Sequence, residues 1–127
     1  MLVTDHSGAN VLDATIPGGP YTLITKIGWT LNAAGTKAVY RNPGTMPLIS
    51  GIYKIVLRTT KIPGELKFNV LGKTGSYPVS LLNIPVKATL VIDSPVATGG
   101  QCGEALWPGP APNPSCFLTA RGTLRCK

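Results

Sequence analysis

Glycine and proline punctuate this chain at short intervals, and that punctuation constrains its fold more than any other feature. Turn signals stand at Ser7-Gly8, Pro17-Gly18-Gly19-Pro20, Ala34-Gly35, Asn42-Pro43-Gly44, Pro63-Gly64, Gly72-Lys73-Thr74-Gly75 and from Pro95 to Gly100. They recur at roughly the 8- to 12-residue spacing of short strands in a sandwich or barrel. With 15 Gly and 12 Pro in 127 residues there is no room for long helices, and no segment sustains an apolar repeat at i, i+3, i+4, i+7. Disorder is excluded by the apolar runs between the turns, which are dense enough to bury a core: 43% of the chain is hydrophobic and only 13% charged, about half the usual charged fraction.

Those runs are rich in β-formers. They extend over Tyr21 to Ile27, Lys37 to Arg41, Ile52 to Thr60, Leu66 to Leu71, Val86 to Asp93, Gln101 to Leu106, Cys116 to Thr119 and Thr123 to Cys126, with a short strand at the first residues. Two of them alternate with period two. Tyr53, Ile55 and Leu57 oppose Lys54 and Arg58, while Leu66, Phe68 and Val70 oppose Lys67 and Asn69. One face is therefore buried and the other wet, the pattern of an antiparallel sheet. Val86, Ala88, Leu90 and Ile92 suit a more central strand. The fold class predicted is all-β, an antiparallel β-sandwich, immunoglobulin-like or related, of about 7 to 10 short strands. It spans residues 1–127 as one domain, with Tyr53, Ile55, Leu57, Leu66, Phe68, Val70, Leu90 and Ile92 in a shared core.

Twelve Lys and Arg against five Asp and Glu give +7. In sequence the cations are scattered singly, from Lys26 to Lys87, and only Arg121, Arg125 and Lys127 crowd together. A nucleic-acid footprint has clustered bases interleaved with aromatics, so no specific nucleic-acid site is expected. A solvated basic exterior or an anionic polymer at a cell surface accounts for the charge better. No window approaches the roughly 18 apolar residues of a membrane helix and no secretory leader opens the chain, so no membrane span is expected.

The three cysteines, Cys102, Cys116 and Cys126, all lie in the last 26 residues. The one histidine, His6, is at the other end, so a structural zinc site lacks its fourth ligand, and a disulfide in an oxidising compartment is the better account. Joining Cys102 to Cys116 would clamp a Pro-rich loop at about 103–115, a closure worth about 3 kcal/mol. Joining Cys116 to Cys126 would cross a hairpin already closed by its turn. The first pairing is favoured and the second is the alternative.

Catalytic constellations fail on inventory, and neither catalytic residues, a metal site nor a cofactor is expected. Asp5-His6-Ser7 holds the letters of a triad, but neighbours in an extended segment point to opposite faces. A polar turn before Gly8 explains them. Gly72-Lys73-Thr74-Gly75 lacks the spacing and the helix of a phosphate loop and suits a hairpin connection with Lys73 exposed. Among the aromatics, Trp107 precedes a Pro-rich stretch able to hold a ring at the surface. With Tyr77, Arg121 and Arg125 it forms a candidate ligand platform, although packing over the disulfide is the plainer role for Trp107.

Two segments echo one another. The stretches from Trp29 to Arg41 and from Cys116 to Lys127 each place Gly-Thr six residues on from a large or sulfur-bearing residue and close with a base, and both suit three-residue hairpin loops with Gly35 and Gly122 in the left-handed position. Centred on Arg121, the second hairpin sets Cys116 opposite Cys126. These segments, with Gly72 to Pro78, Gly100-Gln101-Cys102-Gly103-Glu104 and the C-terminal cysteine hairpin, make the chain similar to an uncharacterised β-sandwich-like domain of large secreted bacterial proteins. The resemblance implies export and a sandwich-like fold, and brings no activity with it. The function expected is a non-catalytic extracellular structural or adhesive module, pairing with itself through sheet edges into a surface layer or filament. The alternative is a module of a secreted bacterial protein that binds a carbohydrate or an anionic polymer.

Overall fold

The computed structural model describes residues 1–44, 46–78, 80, 84–92, 102–109, 112–119 and 124–127. Among them are ten strands and no helix: β1 (Leu2–Thr4), β2 (Asn10–Asp13), β3 (Gly28–Leu31), β4 (Lys37–Arg41), β5 (Ile52–Thr59), β6 (Leu66–Gly72), β7 (Val86–Val91), β8 (Cys102–Trp107), β9 (Cys116–Leu118) and β10 (Leu124–Cys126). All named pairings are antiparallel. They build two four-stranded sheets and one ribbon, the strand inventory of a sandwich-like all-β fold. The chain divides into two compact units, one of Met1–Ala14 with Tyr77–Lys127 and one of Thr15–Ser76.

In the first unit the sheet order is β2-β1-β7-β8. The β1–β2 turn is closed by Asp5, whose Oδ1 accepts from the Ser7 amide (2.9 Å), the Ser7 hydroxyl (2.7 Å) and the Ala9 amide (3.0 Å). The carboxylate that begins the triad-like letters is thus spent on a turn, as Asp does when it competes with the ladder for backbone donors. In β7 the side chains of Val86, Ala88 and Leu90 are buried, as the alternation predicts. Ile92 is not: the strand ends at Val91 and Ile92 is 41% exposed.

The cysteine pairing differs from the one favoured above. Cys116 and Cys126 are bonded, with Cα atoms 4.0 Å apart, and Cys102 is free and exposed. Register is the reason. Ser115 and Lys127 exchange both backbone hydrogen bonds (3.0 and 3.1 Å), which makes the adjacent Cys116–Cys126 pair a non-hydrogen-bonded one, where side chains stand closest. Cys102 is held elsewhere, opposite Val91 at the start of β8. The same pairing corrects the clamped loop at 103–115, since residues 103–107 are strand, each with a partner on β7. The hairpin register of β9 with β10 is as predicted; its turn around Arg121 and Gly122 lies outside the described residues.

The second unit is a meander, β3-β4-β5-β6, and it ends there: β6 does not pair with β7, so Gly72 to Gly75 are not the hairpin connection predicted, although Lys73 is exposed as expected. Its first hairpin has Gly35 at φ +66°, and Gly35 N–H donates to Asn32 C=O (2.9 Å). The ladder closes at Asn32 and Lys37 (3.0 Å), leaving four residues in the loop where three are predicted. Cross-strand rows follow from the register. Trp29, Tyr40, Ile55 and Val70 lie in one row, and Leu31, Ala38, Leu57 and Phe68 in another, both on the same face. Tyr40 and Ile55 on the central strands are buried, whereas Tyr53, Leu57, Leu66, Phe68 and Val70 are only half-buried. A bulge between Ile52 and Lys54 adds a residue to β5 and shifts its parity, so Ile52 is buried three residues from Ile55.

Two glycines are dictated by space. At Gly28 (φ +124°) a Cβ would meet the Pro20 carbonyl oxygen at 2.4 Å, and at Gly51 (φ +72°) it would meet the Gly75 nitrogen and the Lys73 oxygen at 2.7 Å. Ahead of Gly28, residues 21–27 are not the strand that their β-propensity predicts. The Thr22 amide donates to Ile27 C=O (3.1 Å) and the Lys26 amide to Thr22 C=O (2.9 Å), while the Thr22 hydroxyl accepts from the Thr25 amide (3.3 Å). The two threonine hydroxyls turn the segment back on itself instead of letting it join a ladder.

Candidate anion-binding face

The second unit contains Lys26, Lys37, Arg41, Lys54, Arg58, Lys61, Lys67 and Lys73 against one acid, Glu65, eight cations less one anion. The first unit has four of each sign: Lys87, Arg121, Arg125 and Lys127 with Asp5, Asp13, Asp93 and Glu104. The entire +7 of the chain therefore belongs to residues 15–76.

Register turns this into geometry. Lys37, Arg58 and Lys67 are direct cross-strand partners across β4, β5 and β6, so three cations stand in a row at the roughly 5 Å spacing of adjacent strands. Four residues along the same strands, Arg41 is paired with Lys54 on the same face. Between these rows in register lie Thr30, Val39, Val56 and Asn69. Alternation on β4 and β5 explains how cations and core coexist: odd positions of β4 and, from Lys54 on, even positions of β5 point away from Tyr40 and Ile55.

A cleft of about 310 Å³ opens at the Arg41–Lys54 end, lined by Tyr21, Lys26, Arg41, Asn42, Pro43, Tyr53 and Lys54. Asn42 is its fixed point. Buried, it donates its amide to Tyr53 C=O (2.9 Å) and accepts from the Gly44 amide at Oδ1 (3.0 Å). A second cleft of about 460 Å³, lined by Pro43, Gly44, Met46, Pro47, Leu48, Lys73 and Thr74, shares Pro43 with the first. Lys73 stands over the Tyr53 ring at 5.4 Å, a cation–π contact that leaves its ammonium facing solvent.

Among the described residues the one ion pair, Lys87 with Glu104 at 3.3 Å, is in the first unit. There Thr89 and Lys87 hold the Glu104 carboxyl below its ordinary range by hydrogen bonding and charge. In the second unit Glu65 accepts from the Thr60 hydroxyl at the β5–β6 turn, and no acid lies in either cation row. Each directly opposed like pair costs a few tenths to about 1 kcal/mol, and this face contains three such pairs.

Of the ligand platform read from the sequence, Trp107 ends β8 opposite Val86 and is half-buried, and Arg125 pairs with Phe117 on the ribbon. Tyr77 is half-buried, and that burial pushes its hydroxyl pKa up. Arg121 lies outside the described residues. All four belong to the neutral first unit. The residues that share a cleft, Tyr21, Tyr53, Lys26, Arg41 and Lys54, are different ones. Their signal is in the sequence all the same: hairpin loop lengths fix which residues face one another, and summing partners across β4, β5 and β6 would have aligned cations that look scattered in one dimension. Comparison with known protein families, with curated proteins and with solved structures finds no match to this chain.

Proposed function

We propose that this chain is a non-catalytic module that binds an anionic polymer, such as an acidic glycan of a cell surface, along the basic face of the β3–β6 sheet. One observation carries the proposal: all the net charge of the protein is gathered in one unit, and five of its eight cations stand in cross-strand rows of like sign that no acid of that unit neutralises. Such rows cost stability in the free protein, and a polyanion laid across them offsets the cost. The clefts at one end, with Tyr21 and Tyr53 among their walls, supply ring faces beside the charges, as sugar-binding surfaces do. The Cys116–Cys126 disulfide is compatible with the extracellular setting this function needs.

Titration with an acidic polysaccharide and a neutral one tests this. Binding to the acidic polymer alone, weakening steeply with salt, is the expected outcome. Changing both Arg58 and Lys67 to Glu lowers that affinity at least about tenfold, because each reversal replaces an exposed pairing worth up to about 1 kcal/mol by a repulsion of similar size. Equal affinity for the two polymers defeats the proposal. Duplex DNA at physiological salt is expected to stay within the roughly 0.1 mM to 1 μM of non-specific contact.

A second reading, self-assembly into a layer or filament, rests on the sheet ends. Strand β8 closes its sheet on one side and exposes Leu106, a side chain a paired edge would cover, whereas β3 already bonds Gly19 and Tyr21 at Trp29. Size-exclusion chromatography at rising concentration separates the two readings.

A further inference from the structure

The turn at residues 22–26 carries an observation that polymer binding does not use. Leu23 and Ile24, adjacent in sequence, are 85% and 95% exposed. They are not splayed by a loose loop. The Thr22 and Thr25 hydroxyls bond one another, the Thr25 amide donates to Thr22 Oγ1, the Ile27 amide to Thr25 Oγ1 (3.3 Å), and the Lys26 amide to Thr22 C=O. Lys26, at φ +59°, takes a left-handed conformation that favours glycine, which ends the turn sharply and leaves the two apolar side chains at its tip.

We infer that this turn dips into the surface of an anionic lipid bilayer, with Leu23 and Ile24 among the acyl chains and Lys26, Arg41 and Lys54 against the headgroups. Three features favour a bilayer over a protein groove. Two side chains on a projecting turn offer far less than the roughly 800 Å² per partner of a stable protein interface, but suffice for partial insertion. Both threonine hydroxyls and the Thr25 and Lys26 amides are satisfied inside the turn, which lowers the cost of bringing it to a lipid surface. The base of the turn is ringed by charge of one sign: Lys26 shares its cleft with Arg41 and Lys54, and with Tyr21, whose amphipathic ring suits the headgroup level. The inference stands on the exposed turn and does not rest on the polymer reading.

The test is co-sedimentation of the disulfide-bonded chain with vesicles of equimolar phosphatidylcholine and phosphatidylglycerol, and with phosphatidylcholine alone. The anionic vesicles are expected to retain the protein and the neutral ones to retain it about a hundredfold less, about fivefold for each of the three headgroup-facing cations. The double variant Leu23→Ser, Ile24→Ser loses at least about tenfold in partition while keeping its affinity for acidic polysaccharide. In a second variant, Ile24→Trp, indole emission shifts to the blue on adding anionic vesicles and stays put on adding the polysaccharide. Both substitutions lie at exposed positions, and circular dichroism confirms the fold. Unchanged vesicle binding by the double serine variant, or an unshifted indole in vesicle-bound protein, overturns the inference. So does a dimer that forms with rising concentration and vanishes in the serine variant, which would make a second copy the occupant of the tip.

Discussion

The two units solve the same folding problem with opposite electrostatics. In the first, charge is balanced and Lys87 meets Glu104 across a strand pair, and a disulfide holds the ribbon. In the second, a meander of similar strand count carries five of the unit's eight cations on one face and puts Tyr40, Ile52 and Ile55 to work as its core. A sheet with a well-filled apolar face can tolerate a self-repelling opposite face, because hydrophobic stabilisation scales with buried area whereas the repulsion is between solvent-screened charges. The difference between the units teaches where selection for stability stops explaining the residues.

The contrast breaks most readily where the second unit buries most. Tyr40→Ala removes the largest fully buried side chain of that unit and is expected to cost about 3–5 kcal/mol in denaturant unfolding; a loss below about 1 kcal/mol would mean that this face is not what holds the meander. Next, Cys116→Ser with Cys126→Ser opens a ten-residue separation and is expected to cost about 3 kcal/mol through the unfolded chain. Amide exchange localises it: protection falls in β9 and β10, and an equal fall in β3 to β6 would erase the division into units.

Smaller effects sharpen the comparison. Arg58→Glu places an acid between Lys37 and Lys67 and is expected to raise stability by a few tenths to about 1 kcal/mol while lowering polymer affinity, so thermal melting and titration move in opposite directions. In the first unit, Glu104→Gln is expected to lower stability slightly. Its carboxyl pKa is depressed in the fold, so the stability it contributes is present above the ordinary carboxylate value of 4.5 and is lost as pH falls through the lowered folded value. Wild type and variant should therefore converge in acid. A gap between them that persists below that range would assign the contribution to something other than charge.

Much of the fold was legible in one dimension, and the reasons are local. Ile52 to Thr59 and Leu66 to Gly72 alternate because each has one wet face, and period two survives wherever the ladder is regular. Legibility fails where a side chain competes with the ladder or a strand changes parity. Thr22 and Thr25 convert a segment of β-formers into a turn, and the bulge at Tyr53 buries Ile52 out of step with the alternation. A disulfide was legible but its favoured partner was not, because chain entropy favours the longer loop from Cys102 to Cys116, whereas register decides that Cys116 meets Cys126, the alternative pairing. The basic face was half-legible: Lys54, Arg58 and Lys67 could be assigned to a wet surface, but their alignment with Lys37 and Arg41 is a property of pairing and not of any single strand.

The bulge on β5 has a further consequence for how this protein can change. Lys54 and Arg58 lie beyond it, so the side of the sheet they occupy depends on a count of residues modulo two. A single-residue deletion at Tyr53 would cancel the extra residue and leave Ile52 two positions from Ile55, on the core face by plain alternation, with Lys54 and Arg58 still on the other face; the same deletion inside the regular ladder from Lys54 to Thr59 would instead turn cations toward Tyr40. Beyond the bulge, change in steps of two preserves both surfaces at once. The regular part of this strand is therefore quantised in length, with insertions and deletions admitted there in pairs, whereas the bulge is a place where one residue can be lost without exchanging the two faces.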